Sequence, residues 1–81
     1  MPLDFNAAAR RYRAQKERIR QIVAAGERPL RFGDCLVSMD PRRPGAWRMT
    51  WFLEDGTPGG HIESETFAGA LEEARLFGAE L

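Results

Sequence analysis

Cys35 and His61 are the only thiol and the only imidazole in the 81 residues, so a thiolate nucleophile, an imidazole base or a nitrogen–sulfur metal site would have to use them. A reactive cysteine needs a base or a positive charge to hold its thiolate. Cys35 has no histidine beside it in sequence and reads as a small buried hydrophobe. His61 stands two positions from Glu63 in an extended stretch, which puts both side chains on one face. That pairing suits a general base and its orienting carboxylate, but no nucleophile or oxyanion donor accompanies it at readable spacing, and an exposed ion pair is the simpler reading. One thiol and one imidazole also leave a structural zinc site, which takes four ligands, short of donors. The expectation is a protein with no metal, no cofactor and no enzymatic activity.

The chemistry that remains is electrostatic. The formal charge is zero, yet residues 1–52 hold eleven Arg and Lys against five Asp and Glu, a net +6, while residues 53–81 hold Arg75 against seven acids, a net −6. Complementary halves could fold onto one another, or one patch could meet a charged partner. The acidic candidates are Glu54, Asp55, Glu63, Glu65, Glu72 and Glu73, with Phe52 or Trp51 as an aromatic anchor. The basic candidates, suited to phosphate contact, are Arg10, Arg11, Arg13 and Arg18 on a helix and Arg42 and Arg43 in a loop. A Gly-rich run, Asp55 to Gly60, has glycines that could cradle an anion. It lacks the following helix and lysine of a phosphate loop and reads as a turn.

The elements that would position these residues follow from periodicity. Phe5, Ala8, Ala9, Tyr12, Ile19, Ile22 and Val23 recur at helical spacing after a start at Asp4 or Asn6, and Gly26 and Pro29 end the helix. At about 1.5 Å per residue it is long enough to cross a small sheet diagonally. Its arginines wrap around it, Arg10, Arg13 and Arg20 on one flank and Arg11 and Arg18 on the other. Leu30 to Met39 reads as the first strand, with Phe32 and Leu36 on one face and Cys35, Val37 and Met39 on the other. Asp34 falls on the apolar face, which suggests a bulge near Gly33 or an edge position. Asp40 to Ala46 is a surface loop. The second strand points Trp47, Met49, Trp51 and Leu53 to the core and Arg48, Thr50, Phe52 and Glu54 outward. His61 to Glu65 is a short third strand, and Thr66 caps a last helix whose apolar face runs Phe67, Ala70, Leu71, Ala74, Phe77 and Leu81.

The fold class expected is α+β: a single small domain over 1–81, α-β-β-β-α, with a three-stranded antiparallel sheet packed against two helices. No apolar run reaches the length of a membrane helix and the N-terminus lacks a signal-type apolar region, so the chain is expected to be cytoplasmic, without a membrane partner.

Helix, three strands, helix is an order that resembles double-stranded RNA-binding domains. Where that family carries a lysine cluster at the start of its second helix, this chain has Thr66-Phe67-Ala68-Gly69 with Glu72 and Glu73 behind it, which would repel phosphates. The stretch GGHIESETFAGALEEA resembles the strand-to-helix corner of small antitoxins. In size, element order and acidic surface the chain is similar to anti-CRISPR inhibitors of phages and mobile elements. That resemblance implies an inhibitor that occupies the basic nucleic-acid groove of a bacterial CRISPR effector, a protein or ribonucleoprotein complex, with the six acidic residues in place of target-DNA phosphates. Two other functions fit the residues. One is a nucleic-acid-binding module using the basic first helix. The other is an antitoxin-like or self-associating protein, monomer or weak dimer, that buries Phe52 on the outer face of its sheet.

Overall fold

The computed structural model describes residues 5–81, apart from the side chain of Phe5. The helix start expected at Asp4 therefore falls outside the described residues, and Asn6 lies inside the helix. Helix α1 covers Phe5–Ala24. Four strands follow, β1 Leu30–Phe32, β2 Cys35–Met39, β3 Trp47–Phe52 and β4 Pro58–Ser64, and helix α2 covers Phe67–Leu76. The strands form one antiparallel meander in the order β1-β2-β3-β4. The class is thus α+β with two helices and an antiparallel sheet, but the sheet has four strands where three were expected.

The extra strand comes from Gly33-Asp34. A two-residue hairpin loop matches the twist of its strands when its first central residue has positive φ, which glycine supplies without steric strain. Gly33 has φ +58°, and Phe32 pairs with Cys35 across the turn. The mismatch at Asp34 thus marks a reversal, not a bulge. Reversal also corrects the faces: Leu30 and Phe32 share the inner face with Cys35 and Val37, and Leu36 points outward. The Asp34 carbonyl accepts a hydrogen bond from the Phe52 amide at 2.8 Å, which ties this turn to β3.

On β3 the alternation holds as far as Trp51. Trp47 and Met49 are buried, and a register shift between Trp51 and Phe52 ends the regular ladder. Leu53, expected in the core, is 52% exposed. The turn after it closes early, with Leu53 donating to the Thr57 carbonyl and Gly56 to that of Leu53. Gly59 and Gly60 consequently belong to β4 and not to the loop. The loop between β2 and β3 is held from within, since Asp40 Oδ1 accepts from the Arg42 amide at 2.9 Å and Asp40 itself is buried.

The core lies between the inner sheet face and α2. Phe67, Ala70, Leu71 and Ala74 are buried against Val37, Met49, Trp47 and Cys35. Thr66 caps α2 as its residue type predicts, its hydroxyl accepting from the Gly69 amide at 2.9 Å. The other end departs from expectation, because the apolar spacing continues to Leu81 but the helix stops at Leu76. Gly78 (φ +91°) donates to the Arg75 carbonyl and Ala79 to that of Ala74, a Schellman cap that returns Ala79 to the core.

Helix α1 packs against α2 and not diagonally across the sheet. Among the described residues of its apolar face only Ile19 and Ile22 are buried, while Tyr12 is half exposed. The smallest extent of 16 Å leaves room for one helical layer over the sheet, and the longest is 46 Å. The radius of gyration, 13.9 Å, exceeds the roughly 12 Å of a compact chain this long. Residues 10 to 14 of α1 are all exposed, with Tyr12 meeting α2 through Arg75.

Candidate functional site

The six acidic candidates do not lie together. The antiparallel register puts Glu54 and Asp55 at one end of the β3–β4 hairpin and Glu63 and Glu65 at the other. Seven residues of β4 separate the ends, roughly 23 Å of extended chain.

At the Glu63 end the charge is already met. Arg43, on the loop before β3, reaches across the sheet to Glu65 and, at 3.5 Å, to Glu63. On α2, Glu72 is held by Arg75 and, at 3.2 Å, by Lys16 of α1. The hydrogen bond from Arg75, followed by that from Lys16, keeps the Glu72 carboxyl below its ordinary range. Three of the six acids thus serve contacts within the fold, all three to bases from the positive half of the chain. Tyr12 joins this seam, with Arg75 and Lys16 over its ring at 5.1 and 5.5 Å.

The opposite end differs. Trp51 leaves the sheet toward the C-terminus of α2 and stacks on Phe77, with ring centroids 4.7 Å apart and planes inclined by 20°. Its indole lies along the backbone of Gly59 and Gly60. A Cβ at Gly60 would stand 2.4 Å from the six-membered ring, and one at Gly59 2.5 Å from Nε1. Both positions require glycine for this close approach. Leu53 reaches the same place, its Cδ2 near Gly59. Phe77 is 47% and Leu76 63% exposed. Trp51, Leu53 and Phe77 therefore make an uncovered apolar surface of the kind that marks contact sites.

Acid borders this surface. Glu54 and Asp55 occupy the turn after Leu53, and Glu73 stands one helical turn before Phe77. Asp55 accepts from both the hydroxyl and the amide of Thr57, which pulls its carboxyl below the ordinary range and fixes its ionised form. Glu54 and Glu73 make no ion pair or side-chain hydrogen bond among the described residues. Phe52, the other aromatic candidate, faces away on the outer sheet surface. There the Arg31 guanidinium covers its ring at 4.6 Å; Phe52 and Trp51 are both partly buried.

The basic candidates also divide. Arg10, Arg11 and Arg13 extend from the N-terminal part of α1 without an acidic partner among the described residues, whereas Arg18 donates from Nε to the Leu81 carbonyl at 2.8 Å. Arg42 and Arg43 belong to the β2–β3 loop, and Arg43 is engaged as above. His61 and Glu63 do approach, Nε2 to Oε1 4.0 Å, on the outer face. Cys35 is buried on the inner face, and burial, with Asp34 nearby, pushes its thiol pKa up. The sheet separates the two. Among the described residues no group of three or more His, Cys, Asp or Glu side chains is placed to hold a metal ion, and no helix is long and apolar enough to cross a membrane.

Leu53 and Phe77 were assigned to the core by spacing alone. Two signals point to them: Gly78 as a helix stop, and the glycine pair facing a tryptophan across a hairpin. Comparison with protein-family models, with curated proteins and with solved structures finds no match for this chain.

Proposed function

We propose that this chain is a non-enzymatic inhibitor that binds a larger bacterial protein or ribonucleoprotein complex through the solvent-open turn end of its β3–β4 hairpin. The observation that carries this reading is the half-exposed stack of Trp51 on Phe77, built over a glycine pair and bordered by Glu54, Asp55 and Glu73. Aromatic residues set in a rigid frame are the usual energetic centres of protein interfaces, and charge around them speeds and orients docking. The fitting partner has an apolar pocket edged by arginine or lysine, which is the character of a nucleic-acid groove. The likeness to anti-CRISPR inhibitors makes a CRISPR effector complex the first partner to test.

The experiment is target-DNA cleavage by purified effector complexes of several types, with the parent chain, one aromatic double variant and two charge-reversed variants. The parent is expected to inhibit one type. Trp51→Ser together with Phe77→Ser should weaken inhibition at least 100-fold, and Glu54→Lys with Asp55→Lys and Glu73→Lys at least tenfold. Glu63→Lys with Glu65→Lys, which removes acids already engaged by Arg43, should change it much less. No inhibition of any type would end the anti-CRISPR assignment. Equal effects from the two charge reversals would show that the open end is not the contact.

A further inference from the structure

The outer side of α1 plays no part in the proposal above. Its exposed residues fall into three lines along the helix. Arg11 and Arg18 lie on one flank, Arg13 and Arg20 on the opposite flank, and Arg10, Ala14, Glu17 and Gln21 on the solvent-facing line between them; all eight are exposed. The remaining side carries Ile19 and Ile22 to the core and Lys16 and Tyr12 to α2. Glu72, the acid facing α1 across that seam, is neutralised by Lys16 and Arg75.

We infer that α1 is a duplex-DNA-binding helix that enters the major groove with Arg10, Ala14, Glu17 and Gln21 toward the base edges. Arg11 and Arg13 have no acidic partner among the described residues, and Arg18 and Arg20 keep free nitrogens beside their contacts to Leu81 and Glu17, so the two flanks are met together where negative charge stands on both sides. A membrane or an acidic protein surface offers charge on one side, and the solvent-facing line has none of the large apolar residues that seat a helix in lipid. The major groove of B-form DNA, about 12 Å wide, admits a helix of about 10–12 Å diameter between two rows of phosphates. The A-form RNA groove is too narrow and deep for this. Between the flanks stand side chains able to read bases: Arg pairs with guanine, the Ala methyl contacts thymine, Glu accepts from cytosine and Gln pairs with adenine. Glu17 faces the bases and not the phosphates, and its 3.4 Å contact with Arg20 steadies one flank. Arg18, held through Nε by the Leu81 carbonyl, keeps its terminal nitrogens for a phosphate on the other.

The test is fluorescence anisotropy with a labelled 24-base-pair DNA duplex of random sequence and an RNA duplex of the same sequence. Four phosphate contacts predict binding at about 50 mM salt that weakens roughly 100-fold by about 200 mM. Replacing Arg11, Arg13, Arg18 and Arg20 by Gln should lower the logarithmic salt slope by about one per arginine. Ala14→Glu, which removes no arginine and sits on an exposed helical position, should weaken binding at least tenfold with an unchanged circular dichroism spectrum. Trp51→Ser with Phe77→Ser should leave DNA binding intact, which separates this surface from the open end of the hairpin. Absence of binding at the lower salt would overturn the inference. So would equal affinity for the RNA duplex, an unaffected Ala14→Glu variant, or loss of binding in the Trp51 and Phe77 variant.

Discussion

Strand β3 sets two tryptophans against two phenylalanines at the same ring separation, 4.7 Å, and the two pairs serve different ends. Trp47 meets Phe67 at a tilt of 52°, with exposures of 4% and 1%. Trp51 meets Phe77 nearly parallel, with Phe77 half in solvent. Both tryptophans leave the same face of one strand, four residues apart. What separates them is where α2 begins and ends. Phe67 is its first residue, directly behind the Thr66 cap and over the sheet centre, whereas Phe77 is its C-cap, at the rim. Ring contact is thus common to both pairs, and the removal of apolar surface from water belongs mainly to one.

Truncation should expose that difference. Phe67→Ala removes a fully buried ring and is expected to destabilise the fold by about 3–5 kcal/mol in urea unfolding, enough to unfold many domains of this size. Phe77→Ala forfeits a stack at the surface and should cost about 1 kcal/mol. Similar losses from the two would mean that Phe77 belongs to the core after all, and the open end would lose its standing as a contact surface.

Gly60→Ala sharpens the comparison from the tryptophan side. The new methyl group would overlap the Trp51 indole, so the ring must leave its bed or β4 must shift, at a cost of about 1–3 kcal/mol. Trp47 does not touch this glycine. The red-shifted emission expected of a displaced, more hydrated Trp51 should therefore appear without loss of the buried Trp47 signal. Adding Trp51→Ala should recover most of the stability lost. If the double variant is no better than Gly60→Ala alone, the strain lies in the β4 backbone and not against the indole.

How far the sequence reveals this architecture follows from which features are local. The core ends of the elements were legible: Trp47, Met49, Phe67, Ala70, Leu71 and Ala74 lie where periodicity puts them, and Thr66 and Gly26 act at helix ends as their residue types predict. The open end was not legible, because apolar spacing cannot distinguish burial from exposure once an element runs past its partner. Leu53 and Phe77 keep the spacing of their neighbours but extend beyond the layer that would cover them. The split of β1 from β2 was signalled by Gly33-Asp34, but a short apolar run with one mismatch fits a bulge as well as a turn. Charge pairing across the chain was legible in sum, as +6 against −6, and illegible in detail. No sequence rule places Arg43 beside Glu65 or leaves Glu73 without a base.

Gly78→Ala tests the device that sets Phe77 where it is. At φ +91° an alanine is strained, and the two cap hydrogen bonds that return Ala79 to the core depend on this turn. The expected loss is about 1–2 kcal/mol. Near-ultraviolet circular dichroism should show a weakened Trp51–Phe77 signal. A variant as stable as the parent would show that the cap does not hold the C-terminal segment.

The smallest effect belongs to the flank of α2 turned toward α1, and it reads out in pH. In the folded chain the Glu72 carboxyl titrates below its ordinary value of 4.5, chiefly through the hydrogen bond from Arg75 and then through Lys16. A carboxylate whose folded pKa is depressed contributes stability that is fully present above the unfolded value and fades as pH falls through the folded one. Glu72→Gln should therefore destabilise the chain at neutral pH by less than about 1 kcal/mol, since the pair is partly exposed and screened. Urea curves of parent and variant should then converge as pH is lowered beneath 4.5. Glu73→Gln, on the flank that faces Phe77 and lacks a basic neighbour, should leave stability unchanged across the same range while weakening partner binding. If the Glu72 difference persists undiminished in acid, its side chain acts by packing and not by charge. The contrast between an acid used inside the fold and one left for a partner would then rest on Arg43 and its two glutamates alone.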